Sequence, residues 1–272
     1  MRCPRWTPVA VAALALWGGG AWAETGKKGG AKEESSFGSL KAPDAAEAKK
    51  QAQKWLGAVK KDAGTLKKFD TLWASDKPLL DKVSGTLELG DPKAAKLLAD
   101  ARNKKAEAPT ELPGILADKK QSTFFRANLA LAYGKALVLR GVYEEALEAF
   151  LSVKAEDVVD PSSLFFHRAV CEHSLMLKDK ADATIDRLLV DVTDAPERYR
   201  TVASLMHFDM LTWQEKDLGW IARKMDNIQR RLDLKRGGKH TQKMQKEVLV
   251  RLDEMIKEKE NQQKPNAGNG GC

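Results

Sequence analysis

Between residues 43 and 262, apolar residues recur at the three- and four-residue spacing of amphipathic helices. No run of alternating valine, isoleucine and threonine with a hairpin turn interrupts this pattern, so the sequence predicts an all-α protein. Asp91 and Asp160 each precede a proline at a helix start, and Asp44 and Asp194 stand in similar positions. An aspartate there accepts hydrogen bonds from the free amides of the first turn, where proline loses no helical bond.

The last part of the pattern, residues 214–262, predicts an antiparallel helical hairpin. Its first helix carries a narrow seam of apolar residues at spacings of three and four, as in a coiled coil: Leu218, Ile221, Met225, Ile228 and Leu232. Gly237 and Gly238 then break the helix, and a second apolar stripe begins at Met244. Two helices joined by a short glycine turn pack antiparallel. Residues 263–272 are predicted to be a disordered tail.

A stretch in the middle of the chain, residues 127–150, reads ANLALAYGKALVLRGVYEEALEAF. It contains two apolar helical patterns separated by Gly141. Each pattern has a small residue at its middle, Gly134 in the first and Ala146 in the second. Small residues at these positions predict that the two helices pack closely, with aromatic side chains such as Phe150 filling the space beside them.

This stretch resembles a tetratricopeptide repeat (TPR). The family pattern has a small residue, a glycine-like break, an aromatic, a second small residue and a second aromatic, here Gly134, Gly141, Tyr143, Ala146 and Phe150. A degenerate second unit spans residues 161–194, and Asp160 and Asp194 are 34 residues apart, the length of one repeat. We therefore expect an N-terminal helical region over residues 43–110 and a TPR-like stack of helical hairpins, an α-solenoid, over residues 111–213.

The resemblance also implies a binding site. In this family, the first helix of each pair lines a concave groove that binds a peptide or a protein. Carried over by helix phase, the protein-binding groove would be lined by Asn128, Leu131, Lys135, Val138, Arg168 and Glu172. The alternative, which the sequence leaves open, is that these are ordinary surface residues.

The N-terminal residues 1–23 are typical of a secretory signal peptide. They combine a positively charged start, a short apolar run from Val9 to Trp17 and the small-x-small sequence Ala21-Trp22-Ala23. Residues 24–42, rich in glycine, serine and lysine, are predicted to be a flexible linker. We expect an exported protein, periplasmic or secreted, with no transmembrane segment in the mature chain.

The formal net charge of the chain is +8, and the positive charge is concentrated in the hairpin. Nine Lys or Arg lie between Leu218 and Lys246, against Asp226 and Asp233. Such a cluster can hold phosphates or other polyanions. The candidate anion-binding residues are Arg230, Arg231, Lys235, Arg236, Lys239 and Lys243. The alternative is a solvated face of a helical hairpin.

Motifs of the common enzyme classes were sought in the sequence. It contains no HExxH, no GxSxG, no CxxC and no glycine-rich loop ending in Gly-Lys-Ser/Thr. His167 and Cys171 lie four residues apart on one predicted helix, but nothing nearby completes a set of metal ligands. We therefore expect packed core residues there, and no cofactor or metal.

The sequence favours a non-catalytic scaffold of a bacterial envelope that binds a protein or peptide through a TPR-like groove. The alternative is a basic envelope-associating module whose C-terminal hairpin binds an anionic polymer or a membrane surface. An enzyme on a helical scaffold is the third, less favoured hypothesis. A nucleic-acid partner is not expected, since export points to lipid headgroups, cell-wall polymers or an acidic protein as the available anions.

Overall fold

The computed structural model describes residues 37–263, which confirm the predicted all-α class. These residues form twelve α-helices and one short 3-10 helix, and no β-strand. The α-helices are α1 (Ala45–Val59), α2 (Ala63–Ala74), α3 (Leu79–Gly90), α4 (Pro92–Arg102), α5 (Gly114–Ala117), α6 (Thr123–Val138), α7 (Tyr143–Leu151), α8 (Pro161–Ser174), α9 (Lys178–Val190), α10 (Glu197–Leu211), α11 (Leu218–Asp233) and α12 (Lys239–Gln263). The predicted signal peptide, most of the predicted linker and the predicted tail lie outside the described residues.

Two of the four predicted aspartate caps are formed. The Asp91 carboxylate accepts from the Lys93 amide at 2.7 Å, and the Asp160 carboxylate accepts from the Ser163 amide at 2.8 Å. Asp44 occupies the N-cap of α1 without a side-chain hydrogen bond. Asp194 was predicted to cap α10, but its carboxylate instead accepts from the backbone amide of Ala42 at 3.1 Å, and α10 begins only after Pro196.

The end of the predicted linker is attached to the helical body. The amide of Gly38 donates to the carbonyl of Val190 at 3.0 Å, and the amide of Leu40 donates to that of Asp191 at 2.9 Å. The Leu40 side chain is buried in the core. A flexible linker extending to residue 42 is therefore wrong for the last residues of that range, because a buried leucine and a short backbone pairing hold them.

The helices from α1 to α10 share one hydrophobic core, which runs from Leu40 to Met210. α3 packs against α1, α2, α4 and α6 in the N-terminal part. The central part contains two neighbouring helix pairs, α6 with α7 and α8 with α9, and α10 packs against α8 and α9. The inner helices α6 and α8 therefore have neighbours on several sides.

Close packing of α6 on α7 depends on Gly134, as the sequence predicted. A β-carbon built at this position would lie within 3.0 Å of three carbons of the Phe150 ring, which is itself buried. Ala146 is also fully buried. Gly141 ends α6 with φ of +74°, a left-handed conformation that glycine adopts without strain.

The hairpin of α11 and α12 has a small hydrophobic cluster of its own. Ile221 and Ile228 of α11 are buried with Val248 of α12. The other apolar positions of the predicted seam, Leu218, Met225 and Leu232, are exposed. The predicted seam is therefore divided between a half that packs inside the hairpin and a half that faces solvent.

Candidate functional site

The groove residues predicted on α6 do not form an open surface. Asn128 and Leu131 are both fully buried. The Asn128 amide group donates to the carbonyl of Phe124 at 2.8 Å, and its oxygen accepts from the backbone amide of Val159 at 2.9 Å. Their assignment to a binding groove is wrong, because α3, α4 and the segment before α8 pack against α6 and cover this side. Asn128 instead fastens that segment to α6.

The remaining predicted groove residues are also occupied. Lys135 is half-buried with its Nζ 4.0 Å from a carboxylate oxygen of Asp81, and Val138 packs against the core. Arg168 donates through Nε to Glu172 Oε1 at 3.0 Å.

Glu172 is fully buried, and burial raises the pKa of this carboxyl, although Thr184 and Arg168 act in the opposite direction. Its assignment to the groove is therefore wrong, since α9 and α10 pack on α8.

Three of the six candidate anion-binding residues instead dock the hairpin on α7. Arg230 donates from Nη1 and Nη2 to the two carboxylate oxygens of Glu144, at 2.9 Å each, in a bidentate pair. Its Nη1 also donates to the Gly141 carbonyl at 2.8 Å. Arg231 pairs with the same carboxylate and donates through Nε to Thr241 at 2.9 Å.

The third arginine completes the arrangement. Arg236 donates to Glu145 at 3.0 Å and to the carbonyl of Pro109. We call Arg230, Arg231 and Arg236 with Glu144 and Glu145 the arginine cluster. The three arginine side chains are only between 12% and 14% exposed. Their assignment as free anion-binding groups is wrong, because two glutamates of α7 already occupy their donors.

The electrostatics of Glu144 follow from this geometry. Burial raises its pKa, but the hydrogen bonds and charges of Arg230 and Arg231 outweigh burial and lower it from 4.5 to about 2. The carboxylate is therefore ionised throughout the physiological range. Glu145 is buried. Neither glutamate is therefore a freely solvated surface charge.

Further contacts join α11 to the helical body. The Asn227 amide donates to the carbonyl of Ser174, at the end of α8, at 2.6 Å. The guanidinium of Arg223 lies 4.5 Å from the centre of the Trp213 ring, a cation–π contact. The hairpin is thus attached to the body mainly by charged and polar groups.

The other three candidate anion-binding residues are lysines, and they are exposed: Lys235, Lys239 and Lys243. Lys235 adopts φ of +59° in the turn between the helices. Lys243 also borders a cavity of about 460 Å³ together with Lys216, Lys246 and Trp220. Lys235 and Lys239 lie in and directly after the turn, whereas Lys243 also lines a second cavity, of about 380 Å³, together with Arg230 and Arg231.

A row of exposed apolar side chains lies on α10. Its exposed leucine, valine and phenylalanine side chains stand three residues apart, and each is between 41% and 62% exposed: Val202, Leu205, Phe208 and Leu211. Side chains at this spacing form an oblique row that winds around a helix, and its central pair, Leu205 and Phe208, is the part that a single neighbouring helix covers best. We call these four residues the α10 ridge.

Within residues 37–263, no group of three or more His, Cys, Asp or Glu could hold a metal ion. His167 donates through Nδ1 to the Ser163 carbonyl at 2.7 Å and contacts the rings of Phe166 and Tyr199 edge-on, and Cys171 is buried. Both are core residues, as expected. None of the described helices has the length and apolar character needed to cross a bilayer.

Comparison with known protein families, with curated proteins and with solved structures gives no match to this chain.

Sequence reasoning missed Glu144 and Glu145 as the counter-ions of the hairpin. The available signal was the local charge excess, because the seven unbalanced positive charges between Leu218 and Lys246 favour a nearby acidic surface. Sequence reasoning also missed the α10 ridge. Tyr199, Ala203 and Met210 of α10 are buried, but the apolar surface of this helix extends beyond them.

Proposed function

We propose that this chain is a non-catalytic protein-interaction scaffold of the exported compartment, and that the α10 ridge binds an amphipathic helix of a partner protein. The observation that carries the proposal is the exposure of four large apolar side chains along one helix. Scattered exposed apolar residues are ordinary on protein surfaces, but an aligned set is typical of interaction sites. The resemblance of residues 127–150 to a protein-binding repeat family supports the same function.

The packing of the neighbouring helices supports a helix as the occupant. α6 is followed by α7, which packs on it, and α8 is followed by α9, which packs on it. α10 is followed by α11, which instead pairs with α12. Among the described residues, α10 has no following helix packed on it as α6 and α8 have, and we infer that a partner supplies one in trans.

The energy available from the ridge alone is modest. Complete burial of a Val, Leu or Phe side chain contributes about 1.5–3 kcal/mol, and the ridge residues are already partly covered, so each would contribute less. Because association itself costs about 4 kcal/mol or more, the ridge supports a weak, reversible contact, and a tighter complex needs contacts of the partner helix beyond the ridge.

The proposal is tested with a photo-crosslinking amino acid at position 205 and, as the control, at position 139. Leu139 is also an exposed leucine, at the end of α6 and away from the ridge. We expect position 205 to capture one partner segment with a helical apolar pattern, and position 139 not to capture it. A synthetic peptide of that segment should gain helicity on binding the wild-type protein.

Matched substitutions then separate the ridge from general surface effects. Leu205→Glu and Phe208→Glu should abolish peptide binding, whereas Leu139→Glu should leave it unchanged. Capture of a second copy of this chain at position 205, or peptide binding that survives Leu205→Glu, would overturn the proposal.

Anionic polymer binding through the hairpin is a second candidate, favoured by the exposed lysines Lys235, Lys239 and Lys243 rather than by the arginines. If it operates, retention on a polyanion such as heparin should weaken in salt. It should also fall when Lys235, Lys239 and Lys243 are changed together to glutamine. Unchanged retention in that triple variant would rule out these lysines as the binding residues.

A further inference from the structure

The hairpin presents two different faces. The side towards the helical body carries Arg223, Asn227 and Arg230, which make the contacts described above. The opposite side of α11 carries Leu218, Met225 and Leu232 at intervals of seven residues, and they are between 47% and 65% exposed. Heptad spacing keeps side chains on one stripe of a helix that packs against a nearly parallel partner helix.

The second helix continues the same apolar surface. Leu249 and Ile256 of α12 are also seven residues apart and are 62% and 56% exposed. Glu247 pairs with Lys224 on the body side of the hairpin. Leu249 is two residues further along the helix, about 200° around its axis, so it lies on the far side from Glu247. We call Leu218, Met225, Leu232, Leu249 and Ile256 the outer face of the hairpin.

We propose that the outer face binds the outer face of a second copy of this chain, so that two hairpins form an antiparallel four-helix bundle. The two-fold axis runs parallel to the helices and sets α11 of one copy against α12 of the other. Two-helix hairpins with one uncovered apolar stripe are half of such a bundle. This proposal is independent of the α10 ridge, which lies on a different helix.

The register inside the hairpin makes the outer face self-complementary. Contacts of Lys224 with Glu247 and of Arg231 with Thr241 fix which residues of the two helices lie at the same height. A two-fold axis parallel to the helices preserves these heights in the partner copy. Met225 then lies within one helical turn of the height of Leu249 in the other copy.

The same relation holds at the next heptad, where Leu218 lies within one turn of the height of Ile256. Apolar side chains of the two copies therefore meet at two successive levels, and the two-fold axis makes each contact occur twice.

Charge complementarity favours a second copy over an unrelated partner. Asp226 and Asp233 directly follow Met225 and Leu232, and therefore flank the apolar stripe of α11. Lys239 and Lys246 flank the stripe of α12, and all four charged residues are exposed. In the proposed bundle, Asp226 reaches the height of Lys246 and Asp233 that of Lys239, so acidic and basic margins face each other across the two copies.

The test measures the mass of the purified protein by sedimentation over a range of concentrations. We expect a dimer for the wild-type chain, and monomers for Met225→Glu and Leu249→Glu with unchanged helical content. Leu205→Glu on α10 is the control and should remain dimeric, which keeps this result separate from the proposed function.

Charge reversal is the second and more specific part of the test. Asp226→Lys with Asp233→Lys should weaken dimerisation at least tenfold, since four exposed ion pairs are replaced by pairs of like charge. Adding Lys239→Asp and Lys246→Asp to the same chain should restore it. A monomer at every concentration, a dimer that survives Met225→Glu, or failure of the second pair to restore association would each overturn the proposal.

Discussion

Removal of the Glu144 carboxylate should release the hairpin from the helical body without unfolding that body. Glu144 is the shared acceptor of Arg230 and Arg231, and Arg236 lies 3.7 Å from it. In Glu144→Ala, these guanidinium groups keep their positive charges but lose their principal acceptor. The apolar cluster of Ile221, Ile228 and Val248 lies inside the hairpin and does not depend on Glu144.

The expected magnitude follows from the burial of the groups. Breaking a fully buried ion pair by removing one partner costs about 3–5 kcal/mol. The Glu144 side chain is 27% exposed, so water screens part of the interaction, and we expect about 2 kcal/mol. Since 1.4 kcal/mol corresponds to a factor of ten, detachment of the hairpin should become about 30-fold more frequent.

Hydrogen exchange measured by mass spectrometry is the assay, because it reports opening of individual segments. A detached hairpin has only its small apolar cluster to keep α11 folded, so amides of α11 should exchange about 30-fold faster in Glu144→Ala, whereas those of α8 should be unchanged. Glu148→Ala is the matched control, since Glu148 is an exposed glutamate of the same helix. Unchanged exchange in α11, or an equal acceleration in α8, would refute the view that the arginine cluster holds the hairpin as a separable unit.

Three further predictions concern the stability of the central helices, each measured by urea unfolding. Gly134→Ala should destabilise the protein by about 1–3 kcal/mol, because the new methyl group collides with the buried Phe150 ring. Gly57→Ala is its control and should stabilise the protein by up to about 1 kcal/mol, because no atom lies within 4 Å of the added β-carbon. Asn128→Ala should cost about 1–3 kcal/mol, since it leaves a buried backbone amide without an acceptor. Burial lowers the pKa of His167 from 6.5 to about 4, so the contribution of neutral His167 to the stability of the fold is complete above pH 6.5 and is lost as the pH falls towards 4. The free energy of unfolding of the wild-type protein should therefore decline over that interval, and His167→Gln should make the decline smaller.

Local features of this fold could be read from the sequence. The caps at Asp91 and Asp160 depend only on neighbouring amides, and the packing of Gly134 depends on one adjacent helix. In each case, the interacting groups lie close together along the chain. The short loops after α6 and α8 leave few alternatives for how consecutive helices meet.

Features that depend on distant parts of the chain could not be read in this way. Helix phase placed Asn128 and Glu172 on one side of their helices, but it did not reveal that other helices cover that side. The arginine cluster joins residues 86 to 91 positions apart, and composition alone does not say which acids meet Arg230 and Arg236. The sequence likewise identified the apolar positions of the α11 seam, but it did not show which of them pack against α12 and which face solvent.

The two proposed contacts have a joint consequence, because they use different helices. A dimer formed through the outer face of the hairpin would carry two α10 ridges, one from each copy. A partner that also displays two binding helices would then engage both ridges, and the second contact would form at a raised effective concentration. Disrupting the dimer with Met225→Glu should therefore weaken binding to a bivalent partner while leaving the affinity for a single isolated helix unchanged. An equal loss of affinity for the isolated helix would mean that the hairpin itself forms part of the surface that binds this helix.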